Sequence, residues 1–223
     1  MADLFREVDE AMRQERIENF WQENRVYIIG FIAGTILLTA ILSGYRAWNT
    51  NVEQKQTSAL IALQDAADYP ENILNAEKLE MRSGLRGVAL MQAAAAFMNQ
   101  DKTEQAITLY QRVAADSSIP NELQHLGILM SVRLLGNQED QSGETLLKTL
   151  LPALKSNSPW LPHARLEAAV INAHKLDDYE TAIKHLNEVQ DTPGLPESLY
   201  ERARALHHLY TMELQNTAPA ETG

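Results

Sequence analysis

With 223 residues, 45% apolar and 22% charged, the chain can bury one proper core, which predicts a single globular domain plus accessories. Nineteen Lys and Arg against 30 Asp and Glu leave a formal charge of −11. No Lys/Arg run supplies the basic face that phosphate binding needs, so a nucleic-acid partner is excluded. There is no cysteine, which removes disulfide frameworks and thiolate metal sites, and the abundance of Ala, Leu, Glu and Gln points to an all-α fold.

The first predicted element is an amphipathic helix over 3–24, within a cytoplasmic segment 1–25. Phe5, Val8 and Met12, then Ile17, Phe20 and Trp21, fall on roughly one side, with charges elsewhere. Its acids disfavour anionic lipid, so a solvated lead-in and a docking element both remain open. Residues 26–45, VYIIGFIAGTILLTAILSGY, carry no charge and lie between Arg25 and Arg46. Such a run spans about 30 Å of hydrocarbon and is predicted to be a transmembrane helix in contact with membrane lipid. Trp21 and Tyr27 at one end, with Tyr45 and Trp48 at the other, stand where aromatic rings settle at headgroups. The run exceeds a signal-peptide core and no Ala-x-Ala site follows closely, which predicts an uncleaved anchor. Arg6, Arg13, Arg16 and Arg25 before it, against Arg46 and Lys55 after it, predict an N-terminus in the cytoplasm and a C-terminal domain in the periplasm of a bacterial inner-membrane protein. Gly30 and Gly34 form a GxxxG, a candidate helix–helix contact in the bilayer.

A helical stalk is expected over 46–70, ending where Pro70 disfavours helix for Tyr69. From 71 to 215, periodic segments alternate with breakers at 100–101, 117–120, 136–143, 157–162, 177–178 and 193–196, which predicts seven helices; 216–223 is expected to be a disordered tail. Asp101-Lys-Thr-Glu-Gln-Ala-Ile and Asp177-Asp-Tyr-Glu-Thr-Ala-Ile repeat at 76 residues, two units of 38, with a degenerate copy starting at Gly143 between them. Three hairpins and a terminal cap from Pro196 to Leu214 follow. The pattern resembles the tetratricopeptide repeat: Ala106 with Tyr110, and Ala182 with Leu186, match its small and bulky positions, as do Ala94 and Phe97 in the preceding helix. Its units are longer than the family's and the middle copy is weak. The resemblance implies a helical-hairpin solenoid whose groove is lined by Val88, Met91, Ala95 and Met98 from the first unit and Glu167, Ile171 and His174 from the third. That lining suits an apolar peptide or helix; the alternative is that these residues pack on the stalk or a neighbouring repeat.

The sequence shows no catalytic, cofactor or metal site and no small-molecule site. His207 and His208 are adjacent and point about 100° apart on a helix. His125, His163, His174 and His185 lack the spacing of a ligand set, and no nucleophile elbow, phosphate loop or dinucleotide fingerprint occurs. The expectation is a non-enzyme without cofactors.

The opening Phe5-Arg-Glu-Val-Asp-Glu-x-Met-Arg-Gln-Glu-Arg16 followed by Phe20-Trp21, then one span, a stalk and divergent repeats, resembles the YfgM-like ancillary subunit of the bacterial Sec translocon in its alphaproteobacterial form. The resemblance covers nearly the full chain. It implies three protein partners: the Sec translocon, a membrane-anchored periplasmic chaperone and emerging polypeptides. The alternative is a structural scaffold or assembly subunit of another inner-membrane complex.

Overall fold

A computed structural model describes the backbone of residues 2–76, 79–155 and 157–217, with side chains in those stretches from residue 31 onward except at 32 and 33. The described residues form nine α-helices and one 3₁₀ turn, with no strand among them. The chain divides into two compact units, Met1–Lys55 and Gln56–Gly223.

The first unit is the greater part of α1 (Ala2–Gln64). The predicted lead-in, apolar run and stalk are consecutive stretches of this one helix, which ends at Gln64 rather than at residue 70. Of the predicted span, positions 26–30, 32 and 33, including Gly30, lie outside the residues whose side chains are described. Among the described residues no helix is long and apolar enough to cross a membrane. Where side chains are described, the apolar ones stand open on every side. Ile36, Leu37 and Leu38, three successive residues covering 200° of helix, are 60–64% exposed. The hydroxyls of Thr35 and Thr39 turn inward and donate to the carbonyls of Phe31 and Thr35, each at 2.8 Å.

The second unit begins with the last turns of α1. Leu60 is buried in one cluster with Ile73, Leu90 and Phe97 and Leu63 packs against that cluster, while the backbone N–H of Arg82, just before α3 (Ser83–Met98), donates to the side chain of Gln56 at 3.0 Å. A strap containing the short α2 (Glu71–Asn75) then crosses to α4 (Thr103–Ala115). There the guanidinium of Arg112 donates to the carbonyls of Ile73, Leu74 and Ala76 at 3.2, 3.0 and 2.8 Å. Ile73 and Leu74 belong to the last turn of α2 and Ala76 is its C-cap, so Arg112 meets the need that a helix end leaves.

The remaining helices are α5 (Asn121–Gly136), α6 (Gly143–Leu150), α7 (Leu161–Lys175), α8 (Tyr179–Gln190) and α9 (Glu197–Thr217). With α3 and α4 they are the seven predicted helices, although α6 has only 8 residues because Pro152 converts its continuation into the 3₁₀ turn Leu151–Leu154. They pack as the hairpins α3/α4, α5/α6 and α7/α8, with α9 closing the last one. Helices α3, α5, α7 and α9 touch in succession and make one layer; α4, α6 and α8 make the other.

The repeat has a physical basis at both ends. Asp101 and Asp177 occupy the left-handed region, with φ of 59° and 52°, at the corners between α3 and α4 and between α7 and α8. Aspartate tolerates this conformation better than most residues. Ala106 and Ala182, both fully buried, stand fourth in α4 and α8, where a small side chain lets the hairpin close. In the middle hairpin Leu146 holds that place, and the helix starts Thr103, Gly143 and Tyr179 are spaced 40 and 36 residues apart rather than 38 and 38. The three cores follow the hairpins: Phe97, Leu109 and Tyr110 with Ile73 in the first, Val132, Leu146 and Leu150 in the second, Leu166, Leu186 and Tyr210 in the third.

Candidate functional site: the face of α3, α5, α7 and α9

Helix α7 defines this face by elimination. Ala164, Ala168 and Ile171 enter the second core, while Leu166, Ala169 and Ala173 enter the third. On the side between them toward α8, Arg165 pairs with Glu188 at 3.0 Å. At 100° per residue, the remaining stripe is His163, Glu167, Val170 and His174, pointing away from the layer of α6 and α8. The same reasoning places Leu126, Met130 and Arg133 of α5, and Val88, Gln92 and Ala95 of α3, on that side.

The predicted groove residues divide. Val88 and Ala95 are exposed, and Met91 and Met98 are half-buried against the first core, which Met130 and Leu134 of α5 also flank. Together they form an apolar stretch along α3 and α5. The stalk end packs onto that same core through Leu60 and Leu63. From the third unit, Ile171 is buried in the second core and Glu167 is only 6% exposed, its carboxylate held by Arg133 at 3.0 Å across the gap from α5 to α7. His174 keeps an exposed flank, but its Nε2 lies 3.1 Å from the hydroxyl of Tyr210 on α9, with the rings edge-on at 5.6 Å. Gly34 has no atom near the place a Cβ would take, among the described residues.

Sequence reasoning missed the charged half of the face. Arg133 is half-exposed, and among the described residues its Nε alone is engaged, by Glu167. His163 stands one turn before Glu167 on α7, beside Trp160 at 5.9 Å between ring centroids. Arg202 is exposed on α9 and has no hydrogen bond or ion pair among the described residues. Burial, then the positive charges of Arg133 and Arg202, push the His163 imidazolium to a lower pKa than usual. Burial pushes the phenol of Tyr210 up. The i, i+4, i+7 spacing along α7 was the available signal, but it names a stripe only once the buried stripes on either side are known.

No group of three or more His, Asp or Glu among the described residues is arranged to hold a metal ion. A separate open cleft of about 680 Å³ lies where the α3–α4 corner meets the end of α5, lined by Met98, Lys102, Glu104, Leu134 and Asn137 among others. Lys102 there is tied to Glu71 of the strap, so its charge is already matched. Comparison with known proteins finds no matching family model, curated protein or solved structure.

Proposed function

We propose that this chain is a membrane-anchored protein–protein interaction module without catalytic activity. In this reading α1 crosses a bacterial inner membrane through 26–45, with the N-terminus in the cytoplasm, and the tetratricopeptide-like hairpins work in the periplasm. The role that fits is an ancillary subunit of the Sec translocon, placed beside a membrane-anchored periplasmic chaperone and meeting emerging polypeptides. Anchoring at a channel exit raises the effective concentration of a binding face for such chains.

The observation that carries the reading is the all-round exposure of apolar side chains between Phe31 and Trp48. A helix meant for water shows one polar face; one that is apolar on all faces suits hydrocarbon. Two details support it. The threonine hydroxyls are satisfied by the helix's own backbone, as a water-free setting requires. Tyr45 and Trp48, with ring centroids 6.3 Å apart, sit beside Arg46 at the end of the run.

Carbonate washing of membranes is expected to leave the protein in the pellet, and a reporter fused to its C-terminus to work only in the periplasm. Mild-detergent co-purification with quantitative mass spectrometry should recover translocon subunits and periplasmic chaperones. Release by carbonate removes the anchor, and recovery of one unrelated stoichiometric assembly replaces the translocon role with the scaffold alternative.

A further inference from the structure

We propose that the face of α5, α7 and α9 binds acidic side chains of a partner peptide through Arg133 and Arg202, while apolar side chains of the same peptide rest on Val88, Ala95 and Met130. The proposal rests on the interaction-module reading and names the chemistry of its partner.

The geometry follows from the order of the helices. Arg165 opposite Glu188 shows that α7 and α8 run antiparallel, and α9 reverses once more, so α7 and α9 run parallel. They are tied at His174 and Tyr210. Eight residues back along each helix, Arg202 comes level with Leu166 and Glu167. Arg133 reaches Glu167 from the other side, at 3.0 Å. Two guanidiniums and the His163 ring therefore gather around a single carboxylate, and the charge there is positive in a chain of net charge −11.

Glu167 does not exhaust the donors. It engages the Nε of Arg133, and the terminal amino groups of that guanidinium carry no hydrogen bond among the described residues. Arg202 is wholly uncommitted by the same measure. A guanidinium offers a planar fork that matches a carboxylate in two parallel bonds, so these groups select carboxylates over neutral polar side chains. The apolar stretch of α3 and α5 lies immediately beside them, since Met130 is one turn from Arg133. An acidic and apolar peptide meets both halves; a basic one meets repulsion.

The test uses the full-length protein in nanodiscs and fluorescence anisotropy of two labelled dodecapeptides. One carries two glutamates beside leucines and alanines, the other glutamines in place of the glutamates, and empty nanodiscs give the background. At low salt the glutamate peptide is expected to bind about tenfold more tightly, Arg202→Gln to narrow the difference and Arg202→Glu to abolish it, with circular dichroism reporting that both variants keep their helices. Equal binding of the two peptides, binding of neither, or an undiminished preference in Arg202→Glu overturns the proposal. Any of these leaves the module reading standing, because co-purification from membranes tests that separately.

Discussion

Gly127 marks a close approach of two backbones in the hairpin unit. A Cβ there would lie 2.8 Å from the carbonyl oxygen of Tyr110, 3.1 Å from the Cβ of Val113 and 3.2 Å from the N of Ala114. Two of these atoms are backbone and cannot rotate away, so α4 and α5 would have to separate. Gly127→Ala is expected to destabilise the unit by about 1–3 kcal/mol, read as a lower thermal midpoint in mild detergent. Gly136 is the control, because a Cβ there meets nothing closer than Leu146 Cδ1 at 4.0 Å. Gly136→Ala should leave stability unchanged or raise it by up to about 1 kcal/mol, through helix preference alone. Equal effects of the two substitutions would remove the argument from close approach. The sequence reads Gly136 as the start of the breaker 136–143 and leaves Gly127 inside a periodic segment, where nothing local announces its close contact. It did expose Asp101 and Asp177 as a matched pair, because a left-handed corner leaves its own residue preference behind.

Among the elements, the strap that carries α2 depends on one distant side chain. Arg112, 36 to 39 residues further on, supplies donors to three of its carbonyls. Arg86 adds a bond to the carbonyl of Met81 at 3.2 Å while pairing with Asp116 at 2.9 Å. Methionine at position 112 would keep the aliphatic stem and leave the carbonyls unmet. Arg112→Met is therefore expected to cost about 2–3 kcal/mol and to speed amide exchange across 71–82 before that of α7 and α8. Uniform loss of protection over the whole unit would show that the strap has no separate role. The hairpins were readable from their breakers, each a cluster of residues that ends a helix locally. The strap was read as the edge of the stalk and repeat domain, because its order comes from Arg112, a long-range donor that no local pattern announces.

For the whole hairpin unit, two histidines set the response to mild acid. His185 is pushed below its ordinary value of 6.5 by burial and by Arg165 and Lys184, against the pull of Glu188 and Asp178, and its Nδ1 is buried without a hydrogen-bond partner among the described residues. His163 shifts the same way. A base whose folded pKa is depressed binds protons more readily when unfolded, so stability falls as pH drops through about 6.5 and levels off below the folded pKa. Asp116 and Asp178 are held low, chiefly by hydrogen bonds from Ser118 and Thr181, and their contribution is lost only as pH falls below about 4. Thermal unfolding between pH 7.5 and 5.5 should thus show a falling midpoint, and His185→Leu should flatten that slope. A slope unchanged in His185→Leu and in His163→Gln would contradict the assignment.

By itself, the sequence determined the helical class, the seven helices after the strap, the paired units and the uncharged run near the N-terminus. Each of these is written in local periodicity and local breakers, which need no knowledge of neighbours. Tertiary structure alone decided that Ile171 enters the second core and that Arg133 covers Glu167, that α6 stops after two turns, and that Arg133, His163 and Arg202 meet on one face. A stripe on a helix is buried or open only according to which helices flank it, and charges 30 to 70 residues apart converge only when the hairpins have stacked.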